Sequence, residues 1–424
     1  MCEAASAAPP HEREETLPQN PYEVRIYKWR PMGDYRYDDP AHQLHKTHSL
    51  KWKGFRPYIV ARGIPAASIE YSFKLDEIGQ AAVSIPLDGA EEWQQELKKL
   101  AGIEPYKYCI GIVRKSEDWD TRQESYLVWS GIIWNMRMDL NTRLLQIHAR
   151  DFMSFYETRN HTGTAKSKEQ VDLIRALVYS ENINWGINTE TTAMVDTGRS
   201  YDWNAQPGEW REVARDIYDM ADDLSGFFLA MDSARVNMDD PDEYLRCWFR
   251  NTRDRTPRWA TGRDGNPLPT LKDRVNCEIP EVYLDGTQVA NVSYAIGRSG
   301  NLPIRRRKDN VLLRREVPVR DVVGRFDRIA DAKTLDSRAE TQLAFGNKGI
   351  RVPRVITYPS TYQDPQTLNP NLGIKINVEA NTGFMTIKEP FVVTENRVHV
   401  EGDGTDRCEL TLVQESLFQK GQWE

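Results

Sequence analysis

The sequence predicts an α+β fold that is mainly β: two antiparallel barrel-like domains separated by an α/β domain. Three observations carry this expectation. Apolar residues alternate with period two from about 58 to 158 and again beyond 350. Apolar stripes at helical spacing are clearest between those two blocks. The chain has 424 residues, room for two to three domains of roughly 150 residues each, and needs no disulfide or metal to bury a core.

The N-terminal stretch 1–57 is predicted to be an extended arm. Its first 20 residues are small and polar, whereas Tyr22, Ile26, Trp29, Tyr35, Tyr37, Trp52 and Phe55 give the remainder many large apolar groups. The arm is expected to lie on something else, such as a neighbouring subunit. The first barrel-like domain is placed at 58–160. Ile69–Leu75 alternates strictly, Ala81–Pro86 forms a second strand, and Pro86, Asp88 and Gly89 mark a turn. A short helix follows at Glu91–Leu100. Three further strands are expected at Tyr108–Arg114, Ser125–Met136 and Leu144–Arg150.

The α/β domain is placed at 161–280. Ser167 and Gln170 have capping-box spacing ahead of Val171, Ile174 and Val178. Trp210, Val213, Ala214, Ile217, Met220 and Leu224 form a clean helical stripe, closed by Gly226. Phe227–Met231 and Tyr244–Arg250 pair around an acidic turn. The second barrel-like domain, 281–424, holds a strand at Val289–Ile296, one helix around Leu335–Leu343, and strands from Val352 onward. Among these are separate strands at Phe384–Ile387, Phe391–Thr394 and Arg397–Glu401.

Composition excludes several classes. No apolar run approaches the roughly 20 residues of a membrane-spanning helix. Five scattered cysteines without C-x-x-C spacing are expected to be reduced thiols. The net charge of -7 argues against bulk nucleic-acid binding. Nucleophile-elbow, zincin, P-loop and dinucleotide-binding patterns are absent. No catalytic residue, metal site or cofactor is expected. His42, His45 and His48 have a ligand-like spacing but no helical stripe or paired acid, so exposed histidines outweigh a metal site. The acids Asp232, Asp239, Asp240, Asp242 and Glu243 lack calcium-loop offsets, and a solvated turn is expected.

One charge feature stands out. Between Arg298 and Arg328 there are ten basic residues against four acids, in a chain that is acidic as a whole. Arg298, Arg305, Arg306, Arg307, Lys308, Arg314 and Arg315, together with Trp29, Tyr35 and Tyr37, are the candidate interface residues. Interspersed valines and leucines favour a protein partner over nucleic acid for the basic stretch.

The block 66–159 carries a resemblance. It contains Ser84-Ile85-Pro86 closing an early strand, Ser130-Gly131-Ile132-Ile133 in a later one, and a closing A-x-D with Ala149, Asp151 and a nearby Arg159. This pattern resembles the minor tail or tail-hub proteins of long-tailed bacteriophages, similar to the baseplate central hub of contractile phages. The resemblance implies two tail-tube-like barrels per chain and a homo-oligomer, a trimer, at the virion tail tip. The ring would cap the tail tube, adapt six-fold to three-fold symmetry and let DNA pass during ejection. Implied partners are the distal tail protein, the tape measure protein and other minor tail proteins, with no membrane span. The alternatives are a distal tail protein forming a six-fold ring, a tail-associated cell-wall hydrolase and a carbohydrate-binding receptor module.

Overall fold

The computed structural model describes residues 21–32, 54–88, 95, 96, 98, 104–114, 126–183, 186–205, 208–222, 227–238, 240–254, 257–259, 270–287, 289–297, 304–308, 317–326, 332–345, 350–358, 372–381 and 383–415. Within the expected short helix, residues 95, 96 and 98 are helical. His42, His45, His48, Tyr35, Tyr37, Arg298, Arg314 and Arg315 lie outside the described residues.

The first block holds β1 (Tyr22–Pro31), β2 (Phe55–Ile64), β3 (Ser68–Lys74), β4 (Gln80–Pro86), β5 (Tyr108–Arg114), β6 (Tyr126–Asp139) and β7 (Leu144–Arg150). Five of these match the expected strands closely: β4 and β7 alternate between buried and less buried positions, β3 does so in part, and β5 and the middle of β6 are buried on both faces. The arm expectation is corrected: its described part from Tyr22 to Pro31 is a strand inside the sheet. β1 pairs antiparallel with β2 on one side and β5 on the other. Tyr22 to Tyr27 are all buried, since both faces of this strand are covered.

The middle region holds α1 (Ser154–Glu157), β8 (Asn160–His161), β9 (Gly163–Glu169), α2 (Gln170–Ile183), β10 (Thr189–Glu190), β11 (Ser200–Ala205), β12 (Arg211–Glu212), α3 (Val213–Asp222), β13 (Leu229–Val236) and β14 (Tyr244–Asn251). Val171, Ile174, Val213, Ile217 and Met220 share one core with Tyr27 and Ile132 of the first block. The α2 cap differs from expectation: the carboxylate of Glu169 accepts the Asp172 N–H at 2.9 Å. Trp210 lies outside α3 and is exposed.

The last region holds β15 (Arg258–Trp259), β16 (Leu271–Lys272), β17 (Glu278–Asp285), β18 (Val292–Ile296), β19 (Ile304–Lys308), β20 (Asp321–Arg325), α4 (Ala332–Phe345), β21 (Ile350–Thr357), β22 (Ile374–Asn381), β23 (Thr386–Glu401) and β24 (Asp406–Gln414). The three short strands expected between 384 and 401 are one strand of 16 residues, β23. A register shift between Val393 and Glu395 absorbs the irregularity as a bulge without ending the strand.

Most of these strands join one 17-stranded sheet, in which no closed barrel is present among the described residues. The joint between the two β blocks is β3 against β23, from Lys74↔Glu395 to Ser68↔Glu401. From that joint one path runs through β4, β7, β6, β5 and β1 to β2. The other runs through β24 and β21 to β17. One apolar core serves both blocks, with Ile69, Val83 and Ile147 beside Val378, Phe391 and Leu410. The 281 boundary shifts as well: β15 and β16 already pair with β22. A separate three-stranded sheet, ordered β19-β18-β20, packs beneath α4 through Ala295, Leu335 and Ala339.

Candidate functional site

Strand β19 carries the basic stretch into the fold. Its neighbour β18 sends Ser293 and Ala295 toward α4: the Ser293 hydroxyl donates to Gln342 Oε1 at 2.6 Å, and Ala295 packs on the helix. Strand alternation therefore puts Tyr294 on the opposite face. Tyr294 is paired with Arg306 on one side and Val323 on the other, and the Arg306 guanidinium lies 5.5 Å from the Tyr294 ring. Arg306, Arg307 and Lys308 are exposed, as are Val323 and Arg325 of β20. Arg307, on the helix side, pairs with Asp336 of α4. Arg305 lies in the same strand. Trp29 is placed differently: its indole N–H donates to the Tyr106 carbonyl at 3.1 Å and its ring meets Phe152 edge-on at 6.0 Å. It is half-buried on its own chain.

Glu243 reverses the expectation for the acidic turn. It is completely buried and sits among three arginines from three strands. Arg25 of β1 reaches it at 2.9 Å and Arg235 of β13 at 2.9 and 3.1 Å; Arg62 of β2 stands 3.4 Å away. Tyr27 donates its hydroxyl to the same carboxylate at 2.7 Å, and the backbone carbonyl of Glu243 accepts the Ile59 N–H. Burial, then the adjacent Glu243 charge, hold the Tyr27 phenol well above its ordinary range. Glu23 neutralises a further share of Arg25 at 2.6 Å. This knot fastens the middle region to the first block. Sequence reasoning missed it because its members are up to 218 positions apart.

The A-x-D residues also have structural work. Asp151 accepts the Gly79 N–H at 2.6 Å and the Met153 N–H at 2.9 Å, linking the β3–β4 turn to the start of α1. Burial pushes its carboxyl up to about 7 although both N–H donors favour the charge. Arg159 pairs with Glu181 of α2. Asp151 opens onto a cleft of about 610 Å³ where all three regions meet, walled by Phe73, Trp129, Tyr218, Met231, Trp248 and Ile374. Asp232 in this wall is taken up by Arg250, and Glu77 by Lys74 at 3.3 Å. The three carboxylates Glu169, Asp172 and Asp196 cluster elsewhere, but Arg175 bridges two of them at 2.8 and 2.6 Å.

No family model matches this chain, and no curated protein does. Two solved structures match it over most of their length. A tail protein from Neisseria meningitidis aligns over 84% of this chain and 94% of its own, with a TM-score of 0.52 at 13% identity. The 43 kDa tail protein of prophage MuSo2 from Shewanella oneidensis aligns over 93% and 99%, with a TM-score of 0.53 at 10% identity. The chain has a phage tail-protein fold. The agreement extends well beyond the block 66–159 that carried the sequence resemblance, into the middle and last regions.

Proposed function

We propose that this chain is a structural subunit of a phage-type tail, assembled at the tail tip as a ring that caps the tail tube. The observation that carries this reading is the near-complete alignment with two tail proteins. The joined β blocks support it physically. Each chain supplies two β halves tied by β3 and β23, so three copies would present six tube-like halves to a six-fold tube. The ring would adapt six-fold to three-fold symmetry and leave a lumen through which DNA passes during ejection. Its partners would be the distal tail protein, the tape measure protein and other minor tail proteins.

Mass photometry of the purified chain and three-dimensional images of virions test the reading. Three copies per ring at the tail tip are expected. Six copies would favour the distal tail alternative. A stable monomer together with tail tips lacking ring density would overturn the proposal, and clearing of cell walls in a zymogram would favour the hydrolase.

A further inference from the structure

We propose that the acidic edge strand β17 of one copy pairs antiparallel with the basic edge strand β19 of a second copy. This inference rests on the ring reading and names the contact that would hold it.

Both strands end their sheets. Among the described residues β17 has a pairing register with one strand, β21, and β19 with one, β18. A sheet edge presents backbone N–H and C=O groups ready for another strand. Charged side chains on an edge discourage pairing in general, but charges of a single sign select a partner of the other sign. The two edges are complementary in this way. β19 reads Ile304-Arg305-Arg306-Arg307-Lys308, four cations and no acid. β17 reads Glu278-Ile279-Pro280-Glu281-Val282-Tyr283-Leu284-Asp285, three acids and no cation. Tyr283 and Leu284 are 55% and 50% exposed, although both sit in a regular strand pairing with β21. Exposed large apolar groups at a sheet edge fit a surface that a partner covers.

The lengths match too. Pro280 has no N–H to give, so pairing is confined to the five residues from Glu281 to Asp285, the length of β19. Setting these antiparallel to Ile304–Lys308 places Glu281 opposite Lys308 and Tyr283 opposite Arg306. The first is an ion pair and the second a cation–π contact, both on the face opposite α4. Each contact uses β17 of one copy and β19 of the next, so it is head-to-tail and closes into a ring when the rotation permits.

Disulfide trapping in the full chain tests this contact. Tyr283→Cys and Arg306→Cys are introduced together on a Cys2→Ser background, where Cys109, Cys247, Cys277 and Cys408 are buried. Directly opposed antiparallel residues lie about 4.5–5.5 Å apart at Cα, within disulfide reach. Oxidation is expected to give covalent multimers on a denaturing gel, and neither single-cysteine variant should do so. In parallel, Glu281→Lys and Lys308→Glu should each weaken association roughly tenfold, and the double variant should recover to within about threefold of wild type. A ring that survives all variants without cross-links would overturn the strand contact and leave the ring standing. Self-cross-linking of the Tyr283→Cys chain would replace it with a two-fold β17–β17 contact. A wild-type chain that stays monomeric and does not cross-link would overturn both the contact and the ring.

Discussion

Around Glu243, the side chains of Arg25 and Arg235 are sealed from water; along β19, Arg306 and Lys308 stand in it. Both places are dense in charge; the sequence predicts a solvated turn at Glu243 and a protein-facing surface along the basic stretch. The difference lies in what each charge meets. Glu243 gathers its partners from β1, β2 and β13, so every charge in the knot is answered within one chain. On β19, Arg307 finds Asp336, while among the described residues Arg306 lies against the face of Tyr294. A buried, answered charge belongs to the fold. An exposed run of one sign is available to a partner.

The sharpest way to break this comparison is to remove the buried acid. Glu243→Gln removes the carboxylate that buried Arg25 and Arg235 share and leaves Glu23 as the acid beside Arg25, and a loss of about 3–5 kcal/mol in urea unfolding is expected. A loss below roughly 1 kcal/mol would put Glu243 among the ordinary surface acids.

Asp151 is an intermediate case, a partly buried carboxylate at a cleft wall, held by backbone N–H groups in place of guanidinium. Its folded-state pKa of about 7 lies above the ordinary value of 3.8, so between those pH values the folded chain keeps a proton that the unfolded chain has lost. Its contribution to stability is therefore full below about pH 4 and declines as pH rises through 7. Relative to Asp151→Asn, the wild type should lose stability over that window with a slope approaching about 1.4 kcal/mol per pH unit. A flat difference between the two chains would show that Asp151 ionises in the folded chain as it does in the unfolded one.

Salt sharpens the contrast further. Raising ionic strength from 0.1 to 1 M shortens the screening length from about 10 to about 3 Å. Association between copies should weaken severalfold by mass photometry, while the stability cost of Glu243→Gln should barely change. The smallest effect belongs to Arg307→Ala. The Arg307–Asp336 pair is more than a third exposed on both sides, so less than about 1 kcal/mol of stability is expected to be lost on thermal unfolding.

Among the strands that sequence reading placed well, β4, β7 and most of β24 alternate between buried and less buried positions, while β5 and the middle of β6 are continuous apolar runs buried on both faces. In β1, Tyr22, Val24 and Ile26 alternate with Glu23, Arg25 and Tyr27. Its stretch is rich in Tyr, Trp, Arg and Pro, which in sequence points to an arm lying on something else. Glu243 answers Arg25 and Tyr27, and nothing near β1 in sequence announces Glu243. Pro390 and Glu395-Asn396, which disfavour regular strand, lie between the three strands expected there. The long strand persists because β22, β24 and β3 hold it along its whole length. The basic stretch was visible at once from its charge. Its position on an edge strand was not, because edge status depends on what pairs with β18.

The tie between Tyr22 and Asp406 has a further meaning for how the chain is made. The Tyr22 hydroxyl donates to Asp406 at 2.6 Å across 384 positions, and Arg114 reaches the same carboxylate at 3.6 Å. During synthesis β1 leaves the ribosome long before Asp406 exists, and β3 waits in the same way for β23. The first block therefore stays incomplete, with an open edge on β3, until translation has nearly reached β24. Such long-range closure slows folding and prolongs exposure of unpaired strands. Truncated products should aggregate, and yield should depend on chaperone holding time more than on the stability of the finished fold.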